Sequence, residues 1–346
     1  VEPLAVEIAE RVPLPDALLR AGVRARVARR VRRESRGGED ARSERFRALL
    51  ARMDAQPIAV DTAAANAQHY EVPAEFFALC LGPRRKYSCA LFPPGVDDLA
   101  TAEDLMLEVY ADRARLADGQ EVLDLGCGWG SLSLWLAARH PRSRILGVSN
   151  SHSQRRYIEA RAAERGLTNL RVVTADANTF DPGRTFDRVV SVEMLEHVRN
   201  QRAMLRRVAG WLRPDGLLFV HVFSHRTLAF AFDPDDPSDW IARHFFTGGT
   251  MPSDDMLLHT ADALAPVDHW RVSGTHYART ARAWLRNLDA NRDAAVEALA
   301  PLAGSRRGAR RMVRRWRLFF LACEGLWGYR DGGEFMVTHL LFRPPG

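Results

Sequence analysis

The feature that most restricts the fold is the run Val122-Leu123-Asp124-Leu125-Gly126-Cys127-Gly128-Trp129-Gly130. A short apolar strand ends in glycines at alternate positions, and a helix-patterned stretch follows it to His140. Glycine at such a turn permits positive φ and lets a ligand approach the backbone with no side chain between. A nicotinamide-binding turn would read GxGxxG, with an acidic residue about 20 positions later. Here the spacing is GxGxG, and Asp124 stands two residues before the first glycine.

A regular alternation surrounds that turn. Strand-like runs at 121–125, 144–148, 170–175, 187–192 and 217–223 are separated by helix patterns, one of them at 153–165. Strands alternating with helices of this length imply a parallel sheet covered on both faces. The expectation is an α/β fold with a seven-stranded, mostly parallel, Rossmann-like sheet. Residues 1–60 read as a helical segment, with Leu14, Leu18, Leu19 and Val23, then Phe46, Leu49 and Leu50, at helical spacing and a break at Ser35-Arg36-Gly37-Gly38. An amphipathic helix is expected over 103–116. After Ser224 come a loop-and-helix segment to Thr260, a strand over 270–272, one long arginine-rich helix and a final strand over 335–342. The organisation expected is a helical segment (1–60), a lid and active-site cap (61–118), a cofactor-binding core (119–225), and a helical substrate cap with the last strands (226–346).

Composition narrows the function classes. With 47% hydrophobic and 27% charged residues the chain suits a soluble domain with a full core. No run approaches the roughly 18 apolar residues of a membrane span, and the start lacks the order of a signal peptide. Cys80, Cys89, Cys127 and Cys323 have no CxxC spacing, so neither a disulfide framework nor a metal is expected, and a cytoplasmic setting is. The net charge is +6, yet Lys86 is the only lysine. The arginines read as solvated helix faces; those of 24–36 and 306–317 are also candidates for peripheral contact with an anionic membrane. Neither cluster is interleaved with several aromatics, as a base-stacking surface would need, which argues against nucleic acid.

The GxGxG turn behind Asp124 resembles that of S-adenosylmethionine-dependent methyltransferases, where the loop wraps the amino-acid end of the cofactor. In that class a carboxylate after the third strand accepts from the adenine amino group, which points to Asp176 with Ala177 beside it. The second strand ends in Ser149 and Asn150, with Gln154 a turn later, where an acid for the ribose hydroxyls is commoner.

More specific words follow one another in order: His69-Tyr70 with Phe76-Phe77, Tyr87-Ser88-Cys89, SVEMLEH over 191–197, GLLFVHVF over 216–223, FFTGGTMPS over 245–253, and His276-Tyr277 ahead of Thr280 and Trp284. Together they resemble the cyclopropane fatty-acid synthase family of methyltransferases, and within it the coclaurine N-methyltransferase branch. The resemblance runs from about residue 66 to the end and only loosely before. It implies that Tyr87 and Ser88 close over the cofactor, alongside Asp124, Gly126, Gly128 and Gly130. From the cyclopropane synthases it implies a bicarbonate ion held by Cys89, Glu196, His221 and Tyr277. From the amine branch it implies that Glu193, Glu196 and His197 line the amine site.

The chemistry of Glu193-Met194-Leu195-Glu196-His197 suits either branch. A helical turn would put residues three and four apart on one face, at the carboxyl edge of the sheet where open α/β sheets bind ligands. Adjacent carboxylates raise one pKa, which makes a weak base near neutrality. Two readings follow. One is N-methylation of a hydrophobic or aromatic amine, which Glu196 and His197 orient and deprotonate. The other is methyl or methylene transfer to an unsaturated acyl chain with bicarbonate as base. Trp240, Trp284, Trp327 and Phe335 are candidate pocket walls for a ring-bearing substrate.

Overall fold

The computed structural model describes residues 4–60, 72–236 and 239–345; His69 and Tyr70 lie outside them. The sheet is assembled from β1 (Glu121–Leu125), β2 (Arg144–Ser149), β3 (Leu170–Thr174), β4 (Phe186–Val192), β5 (Leu212–His225), β8 (Ala265–Ser273) and β9 (Phe335–Arg343). Their order across it is β3-β2-β1-β4-β5-β9-β8. The first five strands pair in parallel, and β9 runs antiparallel between β5 and β8. This is the expected seven-stranded, mostly parallel sheet.

Period-two alternation supplies two apolar faces. Leu123, Leu146, Val189 and Leu218 lie in register on one, and Val190, Phe219 and Leu341 on the other. The second face is covered by α5 (Leu99–Arg113), which buries Tyr110 against it. α6 (Ser131–Arg139) starts directly from the glycine turn, with Gly130 as its N-cap at φ +77°. α7 (His152–Glu164) is capped by Ser151, whose hydroxyl accepts from the Gln154 N–H.

The N-terminal residues form three helices, α1 (Leu4–Arg11), α2 (Asp16–Glu34) and α3 (Gly38–Asp54), broken between Glu34 and Gly38 as the glycine pair indicates. A fourth, α4 (Ala74–Cys80), precedes α5, and α8 (Gln201–Trp211) leads into β5. The segment after β5 holds a small hairpin, β6 (Phe230–Ala231) with β7 (Thr250–Met251), and two short helices, α9 (Trp240–His244) and α10 (Met256–Thr260).

The arginine-rich stretch differs from the single helix expected. It is three: α11 (Gly274–Ala290), α12 (Arg292–Ala303) and α13 (Arg306–Trp327). Gly304 at φ +66° stops α12, and the Ser305 hydroxyl accepts from the Gly308 N–H to start α13. These helices sit between β8 and β9, so the helical mass over the sheet's carboxyl edge is not confined to the insertion after the fifth strand. Several arginines read as solvated faces are ties instead. Arg311 and Arg315 of α13 grip Glu10 of α1, and Arg317 bridges Asp16 and Asp289. No helix among the described residues is long and apolar enough to cross a membrane.

Candidate active site

The glycine turn opens onto a cavity of about 450 Å³ at the carboxyl ends of β1 to β4. Gly126, Gly128 and Gly130 all have positive φ, at 86°, 52° and 77°. A Cβ on Gly126 would fall 2.6 Å from Met194 Cγ, and one on Gly130 2.6 Å from Ile158 Cγ1, so both glycines are required by packing, and Gly126 also borders the cavity. A Cβ on Gly128 would meet nothing within 4 Å, and Gly128 borders the cavity. Its bare backbone is the surface offered to a ligand. Asp124 also borders the cavity, accepting from the Ser133 hydroxyl; burial raises its carboxyl to about 6.

Ser149, Asn150, Gln154, Asp176 and Ala177 line the same cavity, as do Tyr87 and Ser88. Ser149 donates to Gln154 Oε1, which fixes both side chains at the mouth of β2. Asp176 is exposed and accepts from the Asn178 N–H. Asn178 in turn grips the backbone of Ala59 from both sides, through its own Oδ1 and Nδ2. The chain thus brings Ala59 and Val60 to the rim beside Asp176. Thr174 Oγ1, buried at the end of β3 and bordering the cavity, has no hydrogen-bond partner. A bare glycine surface, a rim of amide and carboxylate acceptors and one orphaned hydroxyl together fit S-adenosylmethionine.

The acid-histidine word departs from a helical turn. Glu193 takes φ +48°, and only Leu195–His197 form a short 3-10 turn. The three side chains therefore do not share one face. Glu193 and His197 border the cavity; Glu196 does not. Glu196 is fully buried, its Oε1 accepts from the Phe223 N–H at 2.7 Å, and its Oε2 has no partner. Burial, reinforced by Glu193, pushes its carboxyl well above the usual range, which favours its neutral form.

Glu193 collects the donors instead. Its Oε1 accepts from the Cys89 N–H at 2.9 Å and lies 3.0 Å from His221 Nε2; its Oε2 accepts from the Tyr277 hydroxyl at 2.6 Å. Burial raises its pKa, against the opposing pull of Lys86, Tyr277, the Cys89 N–H and His197. Of the four residues expected to hold bicarbonate, Cys89, Glu196, His221 and Tyr277, only Tyr277 borders the cavity. Cys89 Sγ is turned to the Ala90 carbonyl, and His221 is fully buried. His197 is held down at about 4 by burial, and its ring lies 4.3 Å from that of Phe246.

The loop carrying Tyr87 is fastened onto α11. The Ala90 and Phe92 N–H groups donate to Thr280 Oγ1 and His276 Nδ1. The role of Lys86 escaped the sequence reading. It is 1% exposed, and its ammonium spends its three donors on Ser88 Oγ, the Cys89 carbonyl and Tyr110 Oη. The signal was its singularity: among so many arginines, one lysine marks a place for a compact three-donor head. Trp284 and Trp327 line the cavity as expected, with Phe246 and Phe319. Trp240 and Phe335 lie in the core.

This sheet order, with its strand–glycine turn–helix and its aromatic cavity, is that of an S-adenosylmethionine-dependent methyltransferase. The chain belongs to the mycolic acid cyclopropane synthetase family, whose model matches residues 59–332. It is 35% identical over 344 residues to (S)-coclaurine N-methyltransferase of Thalictrum flavum subsp. glaucum, covering 98% of this chain and 95% of that one. A crystal structure of coclaurine N-methyltransferase bound to N-methylheliamine and SAH matches with TM-score 0.94 at 34% identity, over 98% of each chain. Cyclopropane-fatty-acyl-phospholipid synthase of Escherichia coli (strain K12) is 28% identical over 266 residues, 76% of this chain and 64% of that one. The likeness to the N-methyltransferases therefore takes in the N-terminal helices, which the sequence words matched only loosely.

Proposed function

We propose that this methyltransferase methylates the nitrogen of a hydrophobic, ring-bearing amine. The observation that carries the reading is the Glu193 carboxylate. An ionised carboxylate offers about four acceptor directions, and Cys89, His221 and Tyr277 take three of them. The remaining one belongs to Oε2, on a residue that borders the cavity. That direction suits the N–H of an ammonium or amine.

Bound S-adenosylmethionine supplies an electrophilic methyl group on its sulfonium. Gly128, Asp124, Ser149, Asn150, Gln154, Asp176 and Ala177 would hold it, with Tyr87 and Ser88 on the side of the lid. The protein's part is to aim the nitrogen and keep water out. Glu193 attracts the ammonium, accepts its proton at Oε2 and leaves the lone pair free to attack. His197, neutral at pH 7, borders the cavity beside it. Tyr87, Trp284, Phe246, Phe319 and Trp327 give the apolar wall that a ring system needs, and their faces favour a cation.

The same geometry weighs against bicarbonate-assisted transfer to an acyl chain. The donors that would hold the ion are already engaged by the protein's own carboxylate. The relatives named as N-methyltransferases support the amine reading as well. The test is incubation with labelled cofactor and a mixed panel of cyclic amines and unsaturated phospholipids, read by mass spectrometry. Label on a nitrogen supports the proposal; label only in acyl chains, dependent on bicarbonate, overturns it.

A further inference from the structure

Behind Glu193 a line of polar groups crosses one face of the sheet. β5 and β9 pair with His221 opposite His339, and β9 and β8 pair with His339 opposite Trp270. His221 Nδ1 lies 2.9 Å from His339 Nε2, and His339 Nδ1 lies 2.6 Å from Arg113 Nη1. Arg113 comes down from α5, with its guanidinium 4.9 Å above the Trp270 ring. Both histidines are fully buried. Tyr110, one turn before Arg113, places its hydroxyl 2.9 Å from the same His221 Nδ1 while accepting from Lys86.

We infer that Arg113 and His339 are positioning residues that lock the tautomer of His221, and so hold Glu193 as an ionised acceptor facing the cavity. The argument is one of direction. A guanidinium only donates, so His339 Nδ1 accepts from Arg113 and the neutral ring carries its hydrogen on Nε2. That hydrogen points at His221 Nδ1, which must accept. The hydrogen of His221 is then on Nε2, aimed at Glu193 Oε1. Lys86 is linked to this ring by hydrogen bonds only through Tyr110: its ammonium donates to the Tyr110 oxygen, which sits 2.9 Å from the Nδ1 whose lone pair His339 already uses. Burial keeps both rings neutral, helped by the positive charges of Lys86 and Arg113. The opposite tautomer would turn the lone pair of His221 Nε2 onto a carboxylate, which repels it. A catalytic carboxylate is thus oriented by a cation in α5 that does not border the cavity.

The inference rests on Glu193 serving as the amine's acceptor, but its first test does not. Histidine-labelled protein without substrate, read by nitrogen NMR of the imidazole rings, should show His221 and His339 as neutral Nε2–H tautomers. An Nδ1–H tautomer or an imidazolium at either ring at pH 7 overturns the lock. The second test compares Arg113→Met with Arg113→Lys. Methionine keeps the packing length and loses the donor; lysine restores a donor. Arg113→Met is expected to lower kcat about tenfold with little change in KM, in the range found when an outer partner that orients a site is removed, and Arg113→Lys to recover most of it. Equal losses in the two variants would reduce Arg113 to packing. NMR tautomers as stated, together with full activity of Glu193→Gln, would leave the lock standing and sink the amine mechanism instead.

Discussion

Glu193 and His221 are joined twice. The Glu193 N–H donates to the His221 carbonyl at 2.8 Å, and His221 Nε2 meets Glu193 Oε1 at 3.0 Å. The backbone bond continues the β4–β5 pairing by one residue past Val192, where β4 ends. The side-chain bond then sets the carboxylate just beyond the sheet edge. A non-glycine residue at φ +48° costs on the order of 1 kcal/mol, and this double attachment is what holds it there.

Glu193→Gln separates chemistry from fold. Glutamine keeps one oxygen for Cys89 and His221, and its amide can donate to a Tyr277 hydroxyl turned to accept. The fold should survive, with an unchanged circular dichroism spectrum and near-unchanged melting. Methyl transfer should fall by about 100-fold or more, since a proton acceptor in flight is worth that much. Glu196→Gln should cost far less, because glutamine imitates the neutral carboxyl that burial favours there and keeps the contact with the Phe223 N–H. Initial rates on one accepted amine rank the two, and a Glu196 variant slower than the Glu193 variant would reverse the assignment.

The pH profile should carry the mark of Glu193 and not of His197. His197 is held at about 4, so it stays neutral above pH 5 and titrates below the working range. Glu193 is displaced upward by burial, and acceptance at Oε2 requires its ionised form. The rate should therefore rise with pH through an acid limb that His197→Gln leaves in place. In Glu193→Gln only the amine's own ionisation remains, so comparing kcat profiles of the two variants under saturating amine isolates the carboxylate.

Local signals carried the parts of this picture that were legible beforehand. The glycine turn, β1 and the alternation around it depend on residues close in sequence, and a turn that must approach a ligand leaves glycines as its trace. The partition of labour between Glu193 and Glu196 was not legible. It depends on one left-handed residue that is not glycine, and spacing alone suggests a regular helical turn there. Of the two breaks that split the arginine-rich stretch into three helices, Gly304-Ser305 signalled the second, but the apolar periodicity on either side masked it, and the first falls at Asn291 with no glycine or proline to mark it. Contacts such as Arg113 with His339, or Glu10 with Arg311, join residues hundreds of positions apart and leave no short-range pattern at all.

Glu10 shows how much the N-terminal helices contribute. Its side chain is buried, its two oxygens accept from Arg311, Arg315 and Trp240 Nε1, and both arginines come from α13. Burial raises its pKa, but the bonds from Arg315, Trp240 and Arg311 outweigh that and bring it to about 2. The folded pKa lies below the ordinary 4.5, so the contribution is present above that value and fades as pH falls towards 2. With solvent screening of the partly exposed arginines it amounts to about 2 kcal/mol. Glu10→Gln should unfold in less urea than wild type at pH 7, and the gap should shrink by more than half by about pH 3. A gap that is constant over that range would mean that the ion pairs contribute nothing and only packing was lost.

Gly128 gives the sharpest test of the cofactor surface, because its two companions would fail for another reason. Alanine at Gly126 or Gly130 drives a methyl into Met194 or Ile158, so both variants should fold poorly. Alanine at Gly128 meets open space, and φ +52° lies in the left-handed region that L residues enter at a cost of about 1 kcal/mol. The protein should fold, with its midpoint lowered by a few degrees. Its new methyl, however, stands where the backbone is offered to the cavity, between Asp124 and Ser131 on the lining. Calorimetric titration with S-adenosylhomocysteine should then show binding weakened at least about tenfold, equivalent to roughly 1.4 kcal/mol. Unchanged affinity in a folded Gly128→Ala protein would mean that the cofactor does not lie against this turn.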